Sequence, residues 1–238
     1  MWVHADLTAP GLELPPAPAA LSLSPIWLLP AALPALERAG VRRLAAFSST
    51  SVVTKANSPE PEERAVAARL AAGEAETAAF CEARGIGWTA LRPTLIYAEG
   101  LDGNVSRLAG LIRRFGAFPL AGSGGGRRQP VHADDLAAAA LEVLRRPETT
   151  GRTYDLPGGE TLSYRAMVER IFEGLGRRPR VVAAPPGLWR LGLRLAGGRL
   201  PGVNAAMGAR MEADLVFDSS AAARDLGWAP RAFRPRFH

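Results

Sequence analysis

The chain has 238 residues, of which 47% are hydrophobic and 22% are charged, a composition that is typical of a folded globular protein and excludes a disordered one. Its length is sufficient for one large domain or two small ones. The formal net charge is +6, but the arginines are scattered in pairs and the chain has a single lysine, a pattern that favours solvated surfaces over a nucleic-acid interface.

The cysteine and proline content limits the possible disulfides, metal sites, membrane spans and cellular location of the chain. The single cysteine, Cys81, excludes an internal disulfide and a cysteine-cluster metal site, and it indicates a reducing, cytoplasmic location. Residues 14–36 carry no charge, but six prolines interrupt them, and each interior proline removes a backbone donor from a helix. We therefore expect no membrane span there. No basic flank precedes an apolar segment at the N-terminus, so no signal peptide is predicted.

The first half of the chain predicts short strands that alternate with helices. "LSLSPIWLL" indicates a short buried strand followed by a turn at Ser24-Pro25, and "PAALPALERAG" indicates a helix with a proline in its first turn. "VRRLAAFSS" is strand-like. "SPEPEERAVAARLAAGEAETAAFCEARG" predicts a long helix with Ser58 as its cap and a stop at Gly85. "IGWTALRPTLIY" follows as an apolar strand, and this alternation predicts a parallel sheet with crossover helices.

The second half predicts helices at "NVSRLAGLIRRFG", "DDLAAAALEVLRR" and "SYRAMVERIFEGLG", a strand at "RVVAAP", and weaker helices at "GLWRLGLRLAG" and "AAARDLGW". The glycine-rich stretch "GSGGG", residues 122–126, suggests a phosphate-binding loop. A dinucleotide fingerprint, however, needs its glycines between a strand and the start of a helix, and the residues that follow here do not open a helix. We therefore predict a flexible loop on the substrate side.

Three stretches occur in an order and spacing that resemble a known family: "GIGWTALRPTLIY", "QPVHADDLAAAAL" and "GRTYDLPGGETLSYRAMVERI". Together they resemble the extended short-chain dehydrogenase/reductases, also called the NAD-dependent epimerase/dehydratase family, over almost the whole chain. The resemblance implies an α/β fold, with a Rossmann-like parallel sheet that binds NAD or NADP over residues 1–150 and a smaller C-terminal substrate lobe over residues 151–238. Because only five residues precede Asp6, we expect the sheet to lack the family's first strand–helix–strand unit.

The resemblance also assigns roles to residues near the ends of the predicted strands. Cofactor contacts are implied for Asp6, Leu7, Ser24, Pro25, Ser48, Pro93 and Thr94. Substrate contacts are implied for Asn104 and for Arg128, which matches an arginine that contacts phosphate in sugar-nucleotide members. The carboxylate of Asp6 could accept a hydrogen bond from adenine, and a loop or helix-cap aspartate is the alternative. No metal ligands are indicated.

The catalytic residues of the family are matched only in part. In the family a serine acts together with a Y-x-x-x-K pair, in which the tyrosine is the general acid or base and the lysine lowers its pKa. Ser49 matches the serine, with Thr50 as the alternative. None of the three tyrosines has a lysine four residues later. The resemblance places the pair at about Val66 and Leu70, which cannot transfer a proton, and the only lysine, Lys55, is expected to be solvated.

Three functional hypotheses remain open on the sequence. The first is an NAD(P)-binding protein that is weakly or not catalytic, like relatives that lack the tyrosine and have assembly or regulatory roles. The second is an active NAD(P)-dependent reductase or nucleotide-sugar epimerase, in which Ser49, Thr50 or a bound water supplies the proton to a carbonyl compound or a nucleotide sugar. The third is a scaffold or assembly protein that binds a protein partner and no small ligand.

Overall fold

The computed structural model describes residues 4–184 and 205–237, in which strands alternate with helices. The strands are β1 (Ala19–Ser22), β2 (Arg43–Phe47), β3 (Gly87–Pro93), β4 (Ile96–Tyr97), β5 (Phe118–Ala121), β6 (Arg127–Arg128), β7 (Val131–His132), β8 (Arg152–Leu156), β9 (Leu162–Ser163) and β10 (Val181–Ala184). The helices are α1 (Leu29–Arg38), α2 (Ser51–Thr54), α3 (Pro61–Ala83), α4 (Val105–Phe115), α5 (Ala133–Arg145), α6 (Tyr164–Gly174), α7 (Ala205–Glu212) and α8 (Ser220–Leu226). Single 3-10 turns occur at Ile26–Leu28 and Pro147–Thr149.

A four-stranded parallel sheet has the order β1-β2-β3-β8. On β2, Leu44 lies opposite Ala20 of β1 and Trp88 of β3. At the far end of β3, Arg92 lies opposite Asp155 of β8. Because all four strands run in the same direction, their carboxyl ends meet at one edge of the sheet, which is where open α/β sheets bind ligands.

The described residues form two compact units, and each unit is built from three separate segments of the chain. The first unit comprises the described residues of Met1–Thr94, Leu136–Leu156 and Asp218–Trp228, and the second comprises those of Leu95–Asp135, Pro157–Phe217 and Ala229–His238. In the first unit, β8 completes the parallel sheet, and the hydroxyl of Tyr154 on this strand donates to the carboxylate of Asp225 on α8 at 3.0 Å. The domain boundary expected at residue 150 stays a prediction.

An apolar core in the first unit brings together side chains of the first 3-10 turn, α1, β2 and α3. Its buried members are Ile26, Leu29, Leu33, Leu44, Ala46, Leu70, Cys81 and Ile86. The 3-10 turn approaches α3 so closely that a Cβ at Gly73 would lie 2.8 Å from the backbone Cα and N of Trp27. Glycine at this position of α3 is therefore required by packing and not by backbone conformation.

The second unit contains three two-stranded sheets, in which β4 pairs with β7 and β5 with β10 in parallel, while β6 and β9 are antiparallel. Its core lies between α4, α6 and β5. Fully buried members include Ile112, Leu120, Val168, Phe172 and Phe233. The helix α6 begins where expected, because the Ser163 hydroxyl accepts a hydrogen bond from the N–H of Ala166 at 3.0 Å.

The predicted α/β class with a parallel sheet is confirmed, and so are the positions of α1, α3, α4, α5, α6 and α8. The weak helix expected at residues 187–197 lies outside the described residues. The sequence did not predict β8 or α7. Within residues 4–184 and 205–237, the structure contains no helix that is long and apolar enough to cross a membrane, and the uncharged stretch at 14–36 includes β1 and the start of α1.

Candidate functional site

The candidate site lies at the carboxyl edge of the four-stranded sheet, where the loops after β1, β2 and β3 carry most of the residues that the resemblance assigns to the cofactor. After β1, the hydroxyls of Ser22 and Ser24 lie 3.0 Å apart and hydrogen bond to each other. Pro25 then opens the 3-10 turn. Thr94 follows β3, where its N–H contacts the carbonyl of Leu156 at 3.4 Å.

Three hydroxyl side chains follow β2, and they have different surroundings. The backbone N–H of Ser48 donates to the carbonyl of Leu91 at 2.7 Å, but its hydroxyl oxygen is buried and has no hydrogen-bond partner among the described residues. The Ser49 hydroxyl accepts from the N–H of Ser51 at 3.1 Å, at the start of α2. The Thr50 hydroxyl is buried and donates to the carbonyl of Pro93 at 3.1 Å.

These contacts determine which of the three hydroxyls is available to hydrogen bond with a ligand. A buried hydroxyl without a partner loses its water hydrogen bonds on folding, at a cost of about 1–3 kcal/mol, so Ser48 is suited to meet a polar group of a ligand. Thr50 already donates its proton to the backbone and would have to change partners before giving it to a ligand. Ser49 only accepts a hydrogen bond here, so its own proton is still free to be donated.

The positions that the resemblance assigns to the tyrosine–lysine pair lie on the apolar face of α3. Leu70 is 4% exposed and belongs to the core of the first unit, and Val66 packs against the same cluster. The neighbouring Arg69 places its guanidinium 4.7 Å from the centre of the Trp27 ring, a cation–π contact. The described surroundings of both positions are therefore hydrophobic packing.

Ser48, Arg92 and Asp155 form a row of polar side chains on one face of the parallel sheet, near its carboxyl edge. Phe47 lies opposite Leu91, so the next residue, Ser48, lies beside Arg92, and Arg92 lies opposite Asp155. Side chains at matching positions of parallel strands point to the same face. The guanidinium of Arg92 also forms a two-point ion pair with Glu74 on α3.

Asp155, like Ser48, is an incompletely satisfied member of this row. Its Oδ1 atom is buried and has no hydrogen-bond partner among the described residues. Burial raises the pKa of its carboxyl group, and Arg92 only partly offsets this effect. The sequence interpretation did not select Asp155 or Glu74; the only sequence signal for Asp155 is a single acid in the short run "TYDLP".

Asp6 and Leu7, which the resemblance assigns to the cofactor, lie in a turn and not at the end of a described strand. The carboxylate of Asp6 accepts from the N–H and the hydroxyl of Thr8, at 2.8 and 2.7 Å, and these hydrogen bonds lower its pKa. Leu7 packs against the small cluster of Leu12, Ala32 and Ala35. The structure places both residues without testing the proposed adenine contact.

In the second unit, Arg128 is 4% exposed, and its guanidinium donates to backbone carbonyls. The acceptors are Arg127 at 2.6 Å, Ala213 at 2.7 Å and Arg210. Burial lowers the pKa of this guanidinium. Asn104 is exposed, and its side-chain amide donates to the carbonyl of Ile96 at 3.0 Å. In this conformation the described contacts of Arg128 hold the end of α7.

The acids at the start of α5 also have protein partners. His132 contacts the Glu99 carboxylate through Nε2 at 3.2 Å, and its Nδ1 accepts from the N–H of Asp134 at 3.1 Å. Asp135 accepts from the backbone N–H and the guanidinium of Arg231, both at 3.0 Å. Among residues 4–184 and 205–237, no group of histidine, cysteine or acidic side chains is arranged to hold a metal ion.

Comparison with known proteins agrees with this fold. The model of the NAD dependent epimerase/dehydratase family matches residues 30–156, a little over half of the chain. The chain therefore belongs to this family. Among relatives, the mitochondrial NADH dehydrogenase [ubiquinone] 1 alpha subcomplex subunit 9 of Arabidopsis thaliana is 31% identical over 156 residues, which is 65% of this chain and 36% of that subunit.

Two solved structures have similar folds. The RMD protein of Pseudomonas aeruginosa, complexed with NADPH, is similar with a TM-score of 0.70 at 15% identity, covering 97% of this chain and 83% of that one. The UDP-glucose 4-epimerase of Thermotoga maritima, solved with UDP-glucose, is similar with a TM-score of 0.66 at 16% identity, covering 91% and 73%. At these identities the likeness establishes the fold alone. The chain spans no more than half the length of the curated relatives that it matches.

Proposed function

We propose that this chain binds NAD or NADP at the carboxyl edge of its parallel sheet and that it is weakly or not catalytic, because hydrophobic residues replace the tyrosine–lysine pair of its family. The observation that carries the proposal is the contrast between two positions of the first unit. The buried hydroxyl of Ser48 at the sheet edge has no partner among the described residues. Leu70, where the family's lysine is expected, is packed in the core.

The residues at the edge fit one part of the dinucleotide. Ser48, the Ser24-Pro25 turn and the Pro93-Thr94 segment come together at the ends of adjacent strands, as a nicotinamide-side wall requires. The described glycine-rich loop at 122–126 does not connect a strand to a helix, so it does not offer the pyrophosphate the amide cradle of a dinucleotide fingerprint. We therefore assign only nicotinamide-side contacts to the edge residues and keep the adenine role of Asp6 as a prediction.

When bound, a nicotinamide cofactor supplies hydride transfer, and the protein has to supply the proton. Of the two hydroxyls that the resemblance marks as catalytic, Thr50 donates to the backbone carbonyl of Pro93, and Ser49 accepts from the N–H of Ser51 and keeps its own proton. Neither has the tyrosine–lysine pair with which the serine of the family acts. The similarity to a subunit named for NADH dehydrogenase supports a role connected with a nicotinamide nucleotide.

The test is a calorimetric titration of the chain with NADH and with NADPH, followed by assays for cofactor oxidation with carbonyl compounds and UDP-sugars. We expect binding of at least one nucleotide without turnover. Ser48→Ala should weaken binding about tenfold, since a lost hydrogen bond of about 1.4 kcal/mol corresponds to that factor. Thr153→Ala, which removes an exposed hydroxyl on β8, is the matched control and should leave affinity unchanged.

The outcomes separate the rival functions. Steady turnover that Thr50→Val or Ser49→Ala abolishes would establish the reductase or epimerase alternative. Absence of binding by both nucleotides would overturn the proposal and favour the scaffold alternative. One observation supports that alternative: in the described sheet β1 pairs only with β2, and Leu23 just beyond it is 73% exposed.

A further inference from the structure

The glycine-rich loop at residues 122–126 folds around a carboxylate of its own chain. The N–H of Gly124 donates to Oε1 of Glu212 at 2.7 Å, and the Ser123 hydroxyl lies 3.2 and 3.0 Å from the two carboxylate oxygens. The N–H of Gly125 donates to the Ser123 hydroxyl at 3.1 Å, which orients that side chain. Glu212 is the last residue of α7, and it is solvent-exposed.

The glycines are required for this arrangement. Gly122 and Gly124 both have φ of +69°, in the left-handed region that other residues rarely adopt. A Cβ at Gly122 would lie 2.4 Å from Oε1 of Glu212, so a side chain there would displace the carboxylate. Consecutive backbone N–H groups in such a conformation form a concave nest that binds anionic oxygens. The loop is therefore built to hold an anion.

The loop is anchored on both sides, so the nest does not depend on Glu212 alone. The N–H of Gly122 donates to the carbonyl of Ala184 at 3.0 Å, at the end of β10. The carbonyl of Gly124 accepts from the N–H of Arg165 at 2.9 Å, in the first turn of α6. The Arg165 Nε also donates to the carbonyl of Ser123 at 3.1 Å. These contacts fix the loop backbone from elements other than α7.

We propose that the loop at 122–126 is a binding site for an anionic oxygen group of a ligand, a phosphate or a carboxylate, and that Glu212 is an intramolecular competitor which has to leave first. An exposed glutamate on a flexible side chain can rotate into solvent without disturbing the loop. The hydrogen bonds from Gly124 and Ser123 lower the pKa of Glu212, which is consistent with a site that prefers negative charge. This inference is independent of nucleotide binding at the sheet edge in the first unit.

The test follows the backbone amides of Gly124 and Gly125 by NMR while inorganic phosphate, or acetate in a second series, replaces chloride at constant ionic strength. Glu212→Gln removes the competing charge. If the wild-type nest is open for about a tenth of the time, the variant should bind phosphate about tenfold more tightly. Glu173→Gln, which removes an exposed charge at the far end of α6 in the same unit, should bind as the wild type does.

The results are decisive in each direction. Shifts of both amides that saturate at lower phosphate in Glu212→Gln support the proposal, and an equal response to acetate extends the ligand class to carboxylates. Equal affinities of Glu212→Gln and the wild type, or shifts confined to residues outside 122–126, would overturn it. The remainder of the amide spectrum of Glu212→Gln reports whether the fold is intact, because its other resonances should overlay those of the wild type.

Discussion

The guanidinium of Arg92 on β3 forms a two-point ion pair with the carboxylate of Glu74 on α3, with 2.9 Å between Nε and Oε1. The Arg92 and Glu74 side chains are 24% and 12% exposed. The hydrogen bond to Glu74 raises the pKa of Arg92, so its charge persists over the accessible pH range. The ion pair thus fixes the helix that carries Val66 and Leu70 to the carboxyl edge of the sheet.

Glu74→Gln should destabilise the first unit. The substitution keeps the size of the side chain but removes the charge that balances a largely buried arginine, and breaking such a pair is costly. We expect a loss of about 2 kcal/mol in the free energy of unfolding, measured by urea denaturation. Glu76→Gln changes an exposed glutamate on the same helix and should alter stability by less than about 0.5 kcal/mol. Equal stabilities of the two variants would contradict this role.

Asp155 and Asp102 should show opposite pH effects. Burial raises the pKa of Asp155 above its unfolded value of about 3.9. At pH values between the unfolded and the folded pKa, folding is coupled to the uptake of a proton. The stability of the fold therefore falls as the pH rises through this range. For Asp102, hydrogen bonds from Ser106, Ala98 and Asn104 outweigh burial and lower the pKa. The stabilising contribution of the Asp102 carboxylate is present above the unfolded pKa of about 3.9, and it is lost as the pH falls through the lower folded pKa.

The comparison of two variants tests these signs. Asp155→Asn should gain stability relative to the wild type as the pH rises from acid to neutral, reaching about 1 kcal/mol at neutral pH. Asp102→Asn should lose stability relative to the wild type over the same range. Urea denaturation at several pH values measures both differences. Parallel slopes for the two variants would show that the surroundings of Asp155 do not disfavour its charge.

The sequence predicted the parts of this structure that depend on local patterns. Alanine and early glutamates predicted α3, and Gly85 predicted where this helix ends. The strand β8 was missed because "RTYDL" alternates polar and apolar residues too briefly to stand out from a loop. It becomes a strand because β3 offers it a parallel partner, a tertiary effect that propensity does not contain.

Several residues of the candidate sites could likewise be selected from local sequence patterns, whereas their contacts depend on the tertiary structure. Ser48, Ser49 and Thr50 could be selected from the sequence, but which hydroxyl lacks a partner depends on contacts with β3, more than 40 residues away in sequence. The contact of Gly124 with Glu212 joins residues 88 apart in the chain. The glycines predicted a flexible loop, whereas its left-handed conformation and the carboxylate that it holds required the fold.

Cys81 should react slowly in the folded protein. It is fully buried in the core of the first unit, and burial raises the pKa of its thiol to about 11. At pH 8 roughly one thiol in a thousand would be ionised, compared with about a quarter for an ordinary cysteine. Labelling with a disulfide reagent should be at least about 200-fold slower in buffer than in urea. Because the chain has one cysteine, rapid uptake of one equivalent by the folded protein would refute this packing.

Gly73→Ala and Gly110→Ala should have effects of opposite sign, although both replace a glycine inside a helix. Alanine is intrinsically favoured over glycine in a helix by about 1 kcal/mol. At Gly110 on α4 a new Cβ would meet no atom within 4 Å, so this gain should appear as increased stability of about 0.5–1 kcal/mol.

At Gly73 on α3 the Cβ would meet the backbone of Trp27 at 2.8 Å, and backbone cannot rotate away as a side chain can. Overpacking of this kind should outweigh the helix preference and cost about 2 kcal/mol net, as measured by urea unfolding. If Gly73→Ala stabilised the protein as Gly110→Ala does, the close approach of the 3-10 turn to α3 would be disproved, and with it the packing that places the Ser24-Pro25 turn at the edge of the sheet.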